Sequence, residues 1–379
     1  MKKFLTLLYF LSFMPFIFSQ QINGHYHGRQ ISFPNIPGFI TLVADFHMHT
    51  VLSDGEVWPS IRVEEAIRDG LDAIAVTDHI EYQPHQHDIP HTDRNRPYQI
   101  ASSRAENRAL IVINGAEVTR NMPPGHANAI FLEDVNKLNV KDSIKAFKEA
   151  KKQGAFIFWN HPHWEAQYTD GIAKLTELHK KLIKKGMLNG IEVVNDVTYS
   201  DEALQIALDY DLTIMGNSDI HGLVDWQYDL PSGGHRPVTL VFAKEKSAES
   251  LKEALFKKRT VVFFNDMLIG RSEFLVPLLT ESIIAENANY VETWSGTTSI
   301  AKLQLWNKSD APLILKNTGE FDFHNQGQII TLAQNTSMEL QLKTLEKLEE
   351  FELKFEVLNA VTAPKKHPDI TITVFVNQE

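Results

Sequence analysis

Between residues 40 and 265, short apolar runs alternate with stretches whose apolar positions recur every three to four residues. The runs at 41–44, 73–76, 111–116, 127–132, 155–159, 191–194, 213–215, 239–243 and 261–264 predict strands. Helices are predicted between most of them, at 59–69, 101–109, 144–152, 174–185, 202–209 and 248–257. In the first helix Pro59 suits the opening turn, Ile61, Ala66 and Ile67 form the stripe to be buried, and Asp69-Gly70 ends it. Strands apolar on both faces and separated by helices indicate a parallel α/β arrangement, because only a sheet covered on both sides needs no polar face. Residues 40–270 are therefore expected to form a distorted TIM-like barrel.

Past Asp266 the period changes to two. Leu303-Gln304-Leu305-Trp306, Met338-Glu339-Leu340-Gln341-Leu342, Phe351-Glu352-Leu353-Lys354-Phe355 and Ile370-Thr371-Ile372-Thr373-Val374 alternate apolar and polar residues, with turn residues between the runs. Such alternation gives each strand one buried and one wet face, so 275–379 is expected to be a small all-β sandwich. It carries no cluster of chemistry-bearing residues, so packing or attachment is its expected role. Binding of carbohydrate through exposed aromatics is an open alternative.

The chain begins with Lys2 and Lys3, followed by an apolar run from Phe4 to Phe18 and by Ser19-Gln20. The run is shorter than the ~20 residues of a membrane span, so 1–19 reads as a cleaved signal peptide, with secretion or a periplasmic location as the consequence. An uncleaved anchor stays open, since Ile17 fits the small-x-small cleavage rule poorly. Residues 20–39 read as an extended lead-in, in which His25 and His27 are expected to face solvent. The absence of cysteine excludes disulfides and thiol ligands. A net charge of −11 excludes the basic face that a nucleic-acid polymer would require.

Candidate chemistry gathers just after the predicted strands. His47, His49, Asp54, His79, Glu117, His126, His161, Asp219 and His221 are all residue types that ligate divalent ions, and barrel strand ends converge on one rim. The patches Asp45-Phe46-His47-Met48-His49-Thr50 with Ser53-Asp54-Gly55, Thr77-Asp78-His79, Asn160-His161-Pro162-His163 and Asn217-Ser218-Asp219-Ile220-His221 resemble the polymerase and histidinol phosphatase (PHP) superfamily of metal-dependent phosphoesterases. Gly115-Ala116-Glu117 and Gly125-His126 fill the remaining ligand places.

That resemblance implies a seven-stranded (β/α)7 barrel, and exported members similar to this chain carry a C-terminal immunoglobulin-like module. It implies three divalent ions, with zinc, manganese and iron all suited to imidazole and carboxylate donors. His47, His49, Glu117 and Asp219 would hold the first. Glu117 would bridge to a second held also by His126 and His161, and Asp54, His79 and His221 would hold the third. A hydroxide bridging two ions would then attack a small phosphodiester or phosphomonoester.

Arg120 and Arg236 are candidate phosphate contacts, because the guanidinium fork matches two phosphate oxygens; pairing of either with a surface carboxylate is the alternative. His163 is a candidate protonated donor to the leaving alkoxide, or else a histidine that only supports the ligands. Asp45, Asp78 and Asn160 are expected to orient imidazoles. Residues 82–96, with His85, His87 and His91, read as a polar loop at the mouth of the site. Trp164 and Trp226 are the better rim candidates among the tryptophans. Hydrolysis of a carboxyl ester or amide, and metal-stabilised binding without turnover, are the rival readings.

Overall fold

The computed structural model describes residues 29–291 and 299–377; the expected signal segment, His25 and His27 lie outside them. The chain first builds β1 (Ile40–Asp45), α1 (Pro59–Arg68), β2 (Ala73–Val76), α2 (Arg96–Ala105), β3 (Ile111–Val118), β4 (Ala127–Ile130), α3 (Ser143–Lys152) and β5 (Phe156–Trp159). It continues through α4 (Glu177–Lys184), β6 (Gly190–Asn195), β7 (Thr198–Tyr199), α5 (Asp201–Asp209), β8 (Thr213–Asn217), the single turn α6 (Val224–Gln227), β9 (Val238–Ala243), α7 (Ala248–Phe256), β10 (Thr260–Phe264) and β11 (Met267–Gly270).

These strands curl into the distorted barrel. Main-chain pairing runs β11-β10-β9-β1-β2-β3-β4-β5-β6, with β8 joined to β6. The distortion lies in β4, antiparallel to both β3 and β5, and in β9, antiparallel to β1 and β10. The circuit closes by side chains. Thr239 Oγ1 accepts from Gly216 N and donates to Gly216 O, and Thr260 Oγ1 donates to Ile214 O. Gly216 is required there, because any side-chain carbon at that position would overlap Val262 of β10.

Two helical features depart from expectation. α2 opens at Arg96 instead of Ala101, with Pro97 in its first turn, where a missing N–H costs nothing. α8 (Ser272–Ser282) was not expected, and it buries Leu275, Leu278 and Leu279 on one face despite Pro277 inside it. The remaining strands are β12 (Ile283–Val291), β13 (Ile300–Asn307), β14 (Leu313–Asn317), β15 (Ile329–Leu332), β16 (Ser337–Lys343), β17 (Glu350–Val357), β18 (Ala360–Val361) and β19 (Asp369–Phe375). A β12-β13-β16 sheet and a β15-β14-β17-β19 sheet form the sandwich. The period-two residues Phe351, Leu353, Phe355, Ile370, Ile372 and Val374 point inward as expected.

The sandwich is not tethered loosely. Its β18 adds to the barrel sheet, parallel to β11, pairing Leu268 with Ala360 and Ile269 with Val361. Asn359 donates to the carbonyls of Asp266 and Pro312 and accepts from Ile314 N. One hydrophobic core runs from Leu240 and Phe263 through the α8 leucines to Leu303, Leu315 and Phe355. No helix among the described residues is long and apolar enough to cross a membrane.

Candidate metal centre

The rim of the barrel is where the candidate ligands meet. His47 and His49 follow β1 two residues apart, which puts both on one side of an extended chain. His79 follows β2, Glu117 lies near the end of β3, His161 follows β5, and Asp219 and His221 follow β8. His126 precedes β4, but β4 runs antiparallel, so its start lies on the rim where its neighbours end. Main-chain bonds lock these ends together: Asp219 N donates to His47 O at 2.8 Å, His49 N to Ile220 O at 3.0 Å, and Ile80 N to Glu117 O at 3.0 Å. Asp54 sits in the tight turn after β1. There Gly55 packs so closely that a side-chain carbon would lie 2.6 Å from Thr50 N.

Eight of the nine candidates fall in three groups whose donor atoms lie within 4.8 Å of one another: His49, Asp54, His79 and His221; His47, His49 and Asp219; His79, Glu117 and His126. His49 and His79 each belong to two groups, a sharing that the ligand division implied by resemblance did not contain. His161 Nε2 lies 3.8 Å from Glu117 Oε1. His47 Nε2 is 3.1 Å from both His49 Nε2 and Asp219 Oδ1, and His49 Nε2 is 3.0 Å from that same oxygen. Donors about 2.0–2.2 Å from one tetrahedral ion stand roughly 3.3 Å apart, so these separations suit a shared cation.

Two further observations fit that donor set. Glu117 Oε1, His126 Nδ1, His161 Nδ1 and Asp219 Oδ1 are buried without a well-directed hydrogen bond; Glu117 Oε1 and His126 Nδ1 face each other at 2.5 Å, and Asp219 Oδ1 faces His49 Nε2 at 3.0 Å, a crowding of ligand atoms that an ion between them would relieve. His161 and Asp219 both hold positive φ, 29° and 51°, a strain that the surrounding structure must impose on residues other than glycine.

Charge follows the same logic. Against the desolvation of burial, His221 and His79 hold the Asp54 carboxyl well below its ordinary range. Glu117 and Asp219 are likewise held low, against burial, by the imidazoles around them. The Glu117 charge and the Asp54 contact push the His79 imidazole up to about 9 despite burial. A proton on His79 thus balances the acids beside it, and divalent ions would compete with such protons for the same nitrogens.

The His47 imidazole is oriented by a residue not foreseen in the sequence. Glu192, fully buried in β6, accepts from His47 Nδ1 at 2.9 Å, which turns Nε2 toward His49, Glu117 and Asp219, and from His161 N at 2.8 Å. Asn195 and Asn217 each donate to it at 2.9 Å. Its signal was a lone glutamate within the apolar run Ile191-Glu192-Val193-Val194, where a carboxylate needs a partner. Asp45, Asp78 and Asn160 do not touch the imidazole rings. Asp45 accepts from Ser218 N and Oγ, Asp78 from Thr50 and Ser53, and Asn160 pairs with Asn128, so they fix the loops that carry the ligands. Arg62, also unforeseen, donates from full burial to the carbonyls of His49, Ile220 and His221.

Three expected catalytic helpers need correction. Arg236 is fully buried and turned into the core, where it binds Asp69 Oδ2 at 2.6 Å and Asp45 Oδ2 at 3.3 Å. Despite burial, those carboxylates raise its pKa further, and it has no path to a phosphate. Arg120 pairs with Glu81 Oε1 at 2.5 Å and donates to Val140 O, which spends its fork away from the cavity. His163 is engaged with Thr198 Oγ1 at 2.7 Å, and burial lowers its pKa, both of which weigh against the protonated-donor role. The 82–96 loop reaches the site through Tyr82, edge-on to His79 at 5.9 Å, and through Gln83, which donates to His79 O.

The cavity at this centre holds about 370 Å³. Seven of its lining residues are candidate ligands: Asp54, His79, Glu117, His126, His161, Asp219 and His221. Trp164, Asn195, Asp196, Thr198 and Gln227 complete it. Trp226 is 81% exposed and does not line it.

Comparison with known proteins agrees with the geometry. A PHP domain model matches residues 45–211 and an Ig-like domain model matches 285–373. A crystal structure of a two-domain protein containing a predicted PHP-like metal-dependent phosphoesterase, from Bacteroides vulgatus, shares 41% identity with a TM-score of 0.83, covering 92% of this chain and 99% of that one. An amidohydrolase from Chromobacterium violaceum with bound sulfate (16% identity, TM-score 0.35, 47% of this chain and 87% of that one) and PsfC from Pseudomonas syringae (17%, 0.41, 59% and 92%) are too distant to bear on the site. No curated protein matches. With the nine-residue rim, the PHP match and a full-length relative in hand, the chain belongs to the two-domain PHP-like proteins that join a PHP domain to an Ig-like domain.

Proposed function

We propose that the chain is an exported hydrolase that cleaves a small phosphodiester or phosphomonoester at a centre of three divalent ions. The observation that carries this is the gathering of four imidazoles and three carboxylates around one cavity, with His47 and His49 buried directly behind them and their donor atoms packed against one another. His47, His49 and Asp219 would hold one ion, Glu117 with His79, His126 and His161 a second, and Asp54 with His49, His79 and His221 a third. Ions held there would supply Lewis-acid polarisation of the phosphoryl group and acidify water.

The chain's own residues do the positioning. Glu192 fixes the His47 tautomer, Asn195 Nδ2 bonds Asp219 Oδ2 at 3.2 Å, and Trp164 walls the cavity beside His126 and His161 with ring centroids at 5.6 and 5.1 Å. No lysine or arginine lines the cavity among the described residues, so the chain offers a phosphate no cationic side chain of its own. Neutralisation of the transferring group would then fall to the ions.

The test pairs elemental analysis of protein purified without added metal with a panel of nitrophenyl phosphates, phosphodiesters and carboxyl esters. Turnover of phosphate esters that is lost in His47→Ala and Glu117→Ala, with the fold intact by circular dichroism, is expected. Turnover of carboxyl esters alone overturns the phosphate reading, and full activity in both variants overturns the site.

A further inference from the structure

Beside the ligands, one wall of the cavity has a chemistry that the hydrolytic centre does not use. It is formed by Trp164, Asn195, Asp196, Thr198 and Gln227. Most of the side-chain donors on this wall are already engaged. Asn195 Nδ2 is bound to Glu192 and Asp219, Gln227 Nε2 to Asp196 Oδ1, and the Thr198 hydroxyl donates to Asn195 O while meeting His163 Nε2. What remains are the acceptors Asn195 Oδ1, Gln227 Oε1 and the second oxygen of Asp196, whose first oxygen also takes the Tyr228 hydroxyl at 3.1 Å, and two N–H donors, the Trp164 indole and the second hydrogen of Gln227 Nε2.

A wall richer in acceptors than donors, carrying one carboxylate and no lysine or arginine, disfavours a second phosphate by charge. It suits a group rich in O–H donors. Trp164 adds a flat apolar surface, 47% exposed, held edge-on against His126 and His161, and so placed next to where the scissile phosphate would bind. A volume of about 370 Å³ lies at the small end of ligand pockets, which run from roughly 300 to 1,000 Å³.

We infer that this wall is a subsite for a neutral, polyhydroxylated ring, so that the substrate is a sugar phosphate carrying no second phosphate. The inference rests on the phosphoesterase reading for the position of the phosphate. Hydroxyls of the ring donate to Asn195, Asp196 and Gln227, and its C–H face lies on the Trp164 indole. Asp196 sets the preference for a single phosphate by charge.

The test uses the metal-loaded full chain and compares kcat/KM for a hexose monophosphate, a hexose bisphosphate, ethanolamine phosphate and ethyl phosphate, each also as its methyl diester. The hexose monophosphate, or its diester, is expected to exceed the other three at least ten-fold. Trp164→Ala is expected to cut its advantage over ethyl phosphate at least ten-fold through KM, with Trp164→Phe restoring most of it. Asp196→Lys is expected to shift the preference toward the bisphosphate. Equal rates on hexose and ethyl esters, a preference for the ethanolamine ester, or a preference unmoved by both Trp164→Ala and Asp196→Lys overturns the subsite. If no ester is turned over, the phosphoesterase reading fails by itself. Calorimetric binding of the hexose monophosphate then decides the subsite: ten-fold weaker binding to Trp164→Ala supports it, and equal binding overturns it.

Discussion

Arg236 offers the sharpest separation between a structural and a chemical role. Replacing it with methionine keeps much of the volume and removes the charge that faces Asp69 at 2.6 and 3.0 Å and Asp45 at 3.3 Å, in a pocket with no solvent access. Breaking a buried pair by deleting one partner costs about 3–5 kcal/mol, because the orphaned charge stays buried. Here the lower end applies, since Asp69 keeps Arg68 at 2.9 Å and Asp45 keeps Ser218. At roughly 2–4 °C per kcal/mol for a domain of this size, the melting temperature should fall by about 10 °C. Circular dichroism on the metal-loaded protein gives the melting curve, and kcat/KM is read well below the transition. KM for a phosphate ester should be unchanged, and Arg236→Met combined with Asp69→Asn should recover part of the loss. An unchanged melting temperature with a KM raised ten-fold would refute the reasoning and return the guanidinium to the substrate.

Other consequences follow from the same geometry. Glu192→Gln places an NH2 among four donors that now converge on a carboxylate, so metal affinity should fall about 10–100-fold with the fold retained, read by chelator titration. Chelation should lower the melting temperature reversibly; ions at 100 times their Kd contribute about 2.7 kcal/mol, and an unchanged melt after complete removal would contradict binding at this centre. His235 is held neutral at about 4 by burial and by nearby Arg29, stacked 3.9 Å from Phe263 with Nε2 accepting from Asp266 N. Its folded pKa lies below the unfolded 6.5. The unfolded chain therefore binds the extra proton in that window, and up to about 3 kcal/mol present above pH 6.5 is lost as pH falls towards 4. Urea midpoints of metal-free protein between pH 7 and 4.5 should show this slope, and His235→Gln should flatten it.

Much of this molecule was legible along the chain because its signals are local. Apolar runs ending in His47-Met48-His49, His79, Glu117 and Asp219-Ile220-His221 place a ligand at a strand end whatever the barrel's details, since a strand must expose its end at a rim. Period two in Phe351 to Phe355 and Ile370 to Val374 fixes one buried face and hence a sandwich. The arginines and Glu192 could not be read this way. Arg236 meets Asp45 across 191 positions and Glu192 meets His47 across 145, and a charged side chain is silent about its partner until the fold supplies one. The same holds for β18 joining the barrel edge and for the α8 leucines that weld the two parts into one core. Residue type and period thus determined which groups can bind ions and which faces are buried. Only tertiary packing decided which charges are spent on one another in the interior and which are left facing the cavity, because that depends on burial and on neighbours far away in sequence.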